Sequence, residues 1–137
     1  MTEYTQEEIE YMSKALRLAK KGLYTAHPNP RVGCVIVSDD KIVGEGWHQS
    51  SGGPHAEIHA LNHAGEKAKK ATAYITLEPC SHHGKTGPCD EAIIRAGLSR
   101  VVYATKDPFE KNDKSMPEKL QDAGISISVG FLFAGGL

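Results

Sequence analysis

Hydrophobic and polar positions repeat with two different periods along this chain. In "TQEEIEYMSKALRLAKKGL" (5–23), Ile9, Met12, Leu16, Ala19 and Leu23 recur at helical spacing, which predicts a helix with one buried stripe. Thr5 and Glu8 stand ahead of it at capping-box spacing, and Gly22 suits its end. The pattern then changes. "VGCVIV" (32–37) is a β-branched run, "SDDK" (38–41) is turn chemistry, and "IVGEGWHQ" (42–49) reads as the returning strand of a hairpin. After the loop "SSGGP", the stretch "HAEIHALNHA" (55–64) predicts a helix with Ile58 and Leu61 inward. "EKAKKA" (66–71) reads as a solvated face.

The remaining elements follow in alternation. "AYITL" (73–77) is a strand, "CDEAIIRAG" (89–97) a short helix ending at Gly97, and "RVVYAT" (100–105) a strand. Ser115 and Glu118 flank Pro117 at a second capping-box spacing, for a helix that ends at Gly124. "ISISV" (125–129) alternates as a fifth strand. Strands separated by helices predict a three-layer α/β domain in which the last three strands run parallel.

Composition narrows the class. The 137 residues suit one domain over 1–137, and 39% hydrophobic with 24% charged residues is ordinary globular content. A formal charge of -1 gives no electrostatic reason to expect nucleic acid or an anionic membrane as partner. No apolar run approaches the ~18 residues of a membrane span. The acidic, amphipathic start is unlike a signal peptide, so a cytoplasmic protein is expected. In that compartment three cysteines argue for metal or catalysis over disulfides.

Two segments hold the candidate chemistry. One is His55-Ala56-Glu57, opening a helix after a glycine loop. The other is "LEPCSHHGKTGPCDEA" (77–92), with Pro79-Cys80 and Pro88-Cys89, in which eight residues separate the two cysteines. One imidazole and two thiolates form a zinc ligand set, and three protein ligands leave a fourth position for water. A helix N-terminus favours the thiolate of Cys89. Glu57, two residues from a ligand, could move protons between water and a leaving amine. This is the chemistry of the zinc deaminases, whose signature H-x-E…P-C-x-x-C is matched here except for the longer gap between cysteines. Other readings stand beside it. A closed structural zinc site would recruit Cys34 or His82 and leave Glu57 without a task. A Cys80–Cys89 disulfide is disfavoured in a cytosol. Cys34 reads as core, and His59 and His63 as surface or satisfied histidines. "GKT" (84–86) lacks the upstream glycine of a phosphate-binding P-loop, since position 79 is proline. Lys85 is nonetheless a cation between glycines beside the proposed metal, well placed to grip an anion.

With these residues assembled, the chain resembles the deaminase domains of riboflavin biosynthesis. The motifs are "HPNPRVGCVIV" (27–37), "GEGWHQSSGGPHAEIHAL" (44–61), "AYITLEPCSHHGKTGPC" (73–89) and "AIIRAGLSRVV" (92–102), covering nearly the whole chain. The long spacer with S-H-H-G-K-T is the most specific. The resemblance implies an α/β/α cytidine-deaminase-like fold with a mixed sheet of about five strands, Zn2+ as cofactor and a homo-oligomer. It implies hydrolytic deamination of a pyrimidine ribosyl phosphate. It further implies that His55, Cys80 and Cys89 bind zinc and that Glu57 shuttles protons. Asn29, His48, Ala56, His82 and Lys85 would contact substrate. No reductase domain is expected within these residues. The run "DPFEKNDKSMP" (107–117) departs from the family's D-P-N-P, with Phe109 in place of asparagine. That departure keeps a deaminase of another nucleobase, nucleotide or tRNA as a second reading, and an inactive zinc-stabilised module as a third.

Overall fold

Thr5 opens the first helix in the computed structural model, which describes residues 4–21, 32–48, 55–76, 89–104 and 115–129, by backbone alone at 89, 90 and 115–117. Helix α1 spans Gln6–Lys20. The capping box forms as its spacing predicts: Glu8 N–H donates to Thr5 Oγ1 and Thr5 N–H to Glu8 Oε1, each at 3.1 Å. The buried stripe is Met12, Ala15, Leu18 and Ala19, so Leu18 takes the core place expected for Leu16, which is half-buried. The cause is a close approach: a Cβ added to Gly33 would lie 1.9 Å from the Ala15 carbonyl oxygen. The backbone of α1 lies on this glycine, and that contact sets which face turns inward. Gly22 and Leu23 lie outside the described residues.

Strands β1 (Gly33–Ser38) and β2 (Lys41–Trp47) form the expected hairpin. Asp39 and Asp40, at φ 52° and 60°, supply the left-handed pair that a two-residue connection needs. The register slips where Ile36 faces Gly44 but Val37 faces Ile42, leaving Val43 as the extra residue of a bulge. Next come α2 (Ala56–Ala64), a 3-10 turn (Gly65–Ala68) and β3 (Thr72–Ile75). They are followed by α3 (Cys89–Ala96), β4 (Arg100–Tyr103), α4 (Ser115–Asp122) and β5 (Ser126–Val129). Ser115 is the first helical residue of α4, one position inside the cap its spacing suggested. Glu66, Lys67, Lys69 and Lys70 are exposed, as a solvated face requires.

The five strands lie in the order β2-β1-β3-β4-β5. β1 is antiparallel to both neighbours, and β3, β4 and β5 run parallel, as the alternating helices predicted. One face packs Val35, Val37, Tyr74 and Val102 against Met12, Ala15 and Leu18 of α1. The other packs Cys34, Ile36, Ala73, Ile75, Val101 and Tyr103 against α2, Ile93 of α3 and Leu120 of α4. The result is a three-layer α/β/α arrangement around a mixed sheet. Glu8 ties the layers together: its Oε2 accepts from Arg100 Nη1 at 2.7 Å and from the Tyr74 hydroxyl at 3.3 Å. Burial pushes the Glu8 carboxyl up, but the Thr5 amide and the Arg100 guanidinium outweigh it and hold the group below the ordinary carboxylate range. Among the described residues no helix is long and apolar enough to cross a membrane.

Candidate active site

The inward face of α2 is made of Ala56, Ala60 and Ala64 with Glu57, not of Ile58 and Leu61, which are only half-buried. The sheet explains the correction. A Cβ on Gly44 would stand 2.3 Å from the Ala60 oxygen, and one on Gly46 would stand 2.4 Å from the Ala56 oxygen and 2.6 Å from Ala60 N. Two glycines on β2 let the helix backbone settle on the strand, and at that distance only alanine fits between. Periodicity favoured the larger apolar residues; the glycines of "GEGW" were the signal that could have corrected it.

This packing delivers four candidate residues to one end of the sheet. His55 is the N-cap of α2, with extended backbone (φ -75°, ψ 166°), and its ring makes no capping hydrogen bond. Glu57 sits in the first turn and is 4% exposed; the side chain of Ala56 is fully buried. His48 follows β2, with its N–H on the Val32 carbonyl at 3.1 Å, and is also 4% exposed. The His48 and His55 ring centroids are 5.3 Å apart, with planes tilted by 38°. Cys34, expected in the core, is fully buried in β1. Burial pushes its thiol far up and the nearby Glu57 carboxylate adds to the effect, so Cys34 stays protonated beneath the acid.

The same sheet end carries the start of the second candidate segment. Thr76, 7% exposed, is the last described residue before 77–88. Its N–H donates to the Gly33 carbonyl at 3.1 Å, and its Oγ1 accepts from Gly33 N–H at 3.1 Å. Cys89 is the first residue of α3, where unpaired helix amides favour a thiolate; its side chain lies outside the described ones. Asn29, Cys80, His82, Lys85 and Phe109 lie outside the described residues. Among the described residues no three His, Cys, Asp or Glu side chains gather closely enough to hold a metal. The two histidines read as bland differ from each other. His63 is exposed and its Nδ1 accepts from Glu45 N–H at 3.1 Å, pinning α2 to β2, whereas His59 Nε2 is buried with no hydrogen-bond partner among the described residues. Neither bond nor burial of this kind leaves a mark in periodicity.

Comparison with known proteins agrees with this geometry. The family described as "Cytidine and deoxycytidylate deaminase zinc-binding region" matches residues 5–105. The riboflavin biosynthesis protein RibD of Escherichia coli is 58% identical over 124 residues, which are 90% of this chain and 34% of that protein. The diaminohydroxyphosphoribosylamino-pyrimidine deaminase of Buchnera aphidicola from Schizaphis graminum is 54% identical over 122 residues, 89% of this chain and 83% of the relative. Among solved structures, RibD of Acinetobacter baumannii superposes with a TM-score of 0.87 at 49% identity, covering 91% of this chain and 35% of the other. The chain thus spans about a third of the length of the Escherichia and Acinetobacter proteins and most of the length of the Buchnera one.

Proposed function

The chain belongs to the cytidine and deoxycytidylate deaminase zinc-binding family and, within it, to the diaminohydroxyphosphoribosylaminopyrimidine deaminases, and on that premise we propose that it hydrolytically deaminates 2,5-diamino-6-ribosylamino-4(3H)-pyrimidinone 5′-phosphate, releasing ammonia. One observation carries the reading: the N-cap histidine of α2, its ring not used for capping, is followed two residues later by a carboxylate that is 4% exposed. A buried acid has a large desolvation cost and persists where its proton chemistry is used.

His55, Cys80 and Cys89 would hold the zinc ion that the family description implies. The donor set fits: an imidazole at the N-cap that makes no capping bond and a cysteine at the first position of α3. When bound, zinc supplies Lewis acidity that makes water a nucleophile near neutral pH. Glu57 takes the proton that water gives up as the water oxygen bonds to the amine-bearing ring carbon, and returns it to the departing amine, so that the carbon–nitrogen bond breaks with ammonia as the leaving species. The surroundings of Glu57, Cys34 below and Ala56 beside it, keep bulk water away from that transfer. Ala56 opens α2, and its N–H is one of those at a helix start that lack an intrahelical acceptor; it would donate to the exocyclic carbonyl oxygen of the pyrimidinone. His48, beside His55, and Asn29 would orient the ring, and His82 and Lys85 would meet the ribosyl phosphate.

The test is ammonia release from the pyrimidine phosphate set against cytidine, dCMP and tRNA. The wild-type chain should turn over the first far faster. Glu57→Gln should keep its fold and metal but lose several orders of magnitude in turnover. Faster turnover of another substrate would replace the assignment, and near wild-type activity in Glu57→Gln would remove the carboxylate from the mechanism.

A further inference from the structure

Between antiparallel strands, every second pair of facing residues exchanges two main-chain bonds, each N–H donating to the other's carbonyl. The β1–β3 ladder pairs Cys34 with Ile75, and the next facing residues are Gly33 and Thr76. Only half of the usual exchange occurs there. Thr76 N–H donates to the Gly33 carbonyl, but Gly33 N–H donates to the Thr76 side-chain hydroxyl. The hydroxyl stands in for the carbonyl that a continuing ladder would use. Strand β3 ends at Ile75, one residue earlier, and the chain enters 77–88 from this point.

Gly33 is a fixed anchor. The main chain of α1 lies on it, with Ala15 O only 1.9 Å from where a Cβ would stand. The residue before it, Val32, accepts the His48 N–H at 3.1 Å. Thr76 itself is 7% exposed, so an unpaired donor or acceptor here would be cut off from water. We propose that Thr76 is a positioning residue of the active site: its hydroxyl closes the β1–β3 ladder on Gly33 and so fixes, relative to His48, His55 and Glu57, the point from which the chain runs on towards Cys80. The role rests on the ligand assignment of Cys80 made above. Thr76 touches neither metal nor substrate in this role; it acts through the segment that follows it.

Two substitutions isolate the hydroxyl. Thr76→Val keeps the shape and β-branching but removes the acceptor, whereas Thr76→Ser keeps the acceptor. Thr76→Val should release zinc to a chromogenic chelator at least ~10-fold faster than wild type and lose ~10- to 100-fold in kcat with a smaller change in KM, a ~1 Å misplacement being enough for such a loss. Thr76→Ser should stay within about threefold of wild type in both, since only the hydroxyl is required. Thr76→Val that is stable but wild-type in zinc release and kcat, or Thr76→Ser that fails equally, overturns the proposal. If Thr76→Val does not fold, Thr76→Ala is read in the same way. The wild-type chain gives a check that depends on neither: the Gly33 amide should exchange as slowly as those of the central strands, and exchange at a loop-like rate also overturns the proposal. Failure of the functional reading would appear in the wild-type protein, as absent zinc or turnover; failure of the positioning role appears in the variants and at the Gly33 amide.

Discussion

Gly46→Ala tests the idea that the two glycines of β2 hold in place the end of α2 that carries the proposed site. The added Cβ would stand 2.4 Å from Ala56 O, 2.6 Å from Ala60 N and 2.8 Å from His59 Cβ, whereas ordinary contact begins at 3.4 Å. The first two are main-chain atoms, so no rotamer change relieves them. Restoring contact moves the first turn of α2 by ~1 Å, and overpacking of this kind costs about 1–3 kcal/mol. For a chain of this size that lowers Tm by about 3–15 °C. The displaced turn carries His55 and Glu57, and a ~1 Å misplacement at a reacting centre costs about 100-fold in rate. Melting by circular dichroism gives the first number, and turnover measured well below the variant's Tm gives the second. Gly97→Ala is the control: Gly97 sits at φ 77°, where alanine is strained, but its Cβ would meet only Lys69, at 3.6 Å. That variant should lose about 1 kcal/mol and keep wild-type turnover. Gly46→Ala with unchanged Tm and rate, or Gly97→Ala with an equal loss of rate, refutes the reasoning.

Three further outcomes are expected. Cys80→Ser should lose zinc, measured by atomic absorption, together with several degrees of Tm, because metal binding is linked to folding; full zinc retention would remove Cys80 from the ligand set. Lys85→Ala should lower kcat/KM on the phosphorylated substrate by roughly tenfold to a hundredfold, the worth of a charge-assisted contact, and on a dephosphorylated analogue much less; equal losses on both would rule out a phosphate contact. Glu8 has its carboxyl held below the ordinary range in the folded chain, so its stabilising share is complete above the unfolded value of about 4.3 and is lost as pH falls through the lower folded value. The Tm gap between wild type and Glu8→Gln should therefore narrow as pH drops below about 4.3, and a gap constant from neutral pH to pH 3 would contradict the Arg100–Glu8 pairing.

Features governed by near neighbours in the chain were readable in advance. The Thr5–Glu8 box, the Asp39-Asp40 turn and the parallel run of β3, β4 and β5 all come from local chemistry or from the alternation of elements. H-A-E at the start of a helix was equally legible, because a chemical motif and a helix boundary coincide there. Legibility ended where distant parts of the chain decide. Leu18 rather than Leu16 is buried because Gly33 meets Ala15, and alanines rather than Ile58 and Leu61 line α2 because Gly44 and Gly46 admit nothing larger. Glu8 reads as a capping residue, and its second oxygen serves Arg100, 92 positions away. Thr76 reads as one more strand residue, and its bond to Gly33 spans 43 positions. Contacts of this reach have no period, so amphipathic patterns carry no trace of them.

The hairpin and the helix after it form one unbroken stretch from Gly33 to Ala64, in which β1, β2 and α2 pack on one another. Closing such short loops costs little chain entropy, whereas docking β3 and β4 closes longer ones. On a ribosome this stretch emerges before any residue of β3, and loop closure favours its assembly first. His48, His55 and Glu57 all belong to it, while Thr76, Cys80 and Cys89 come later in the chain. The order of synthesis therefore separates the imidazoles and carboxylate of the proposed site from its thiols. On the ligand set proposed above, a nascent chain would organise its imidazoles and carboxylate first and gain its sulfur donors only after β3 docks along β1, which would make complete metal capture a late step of maturation.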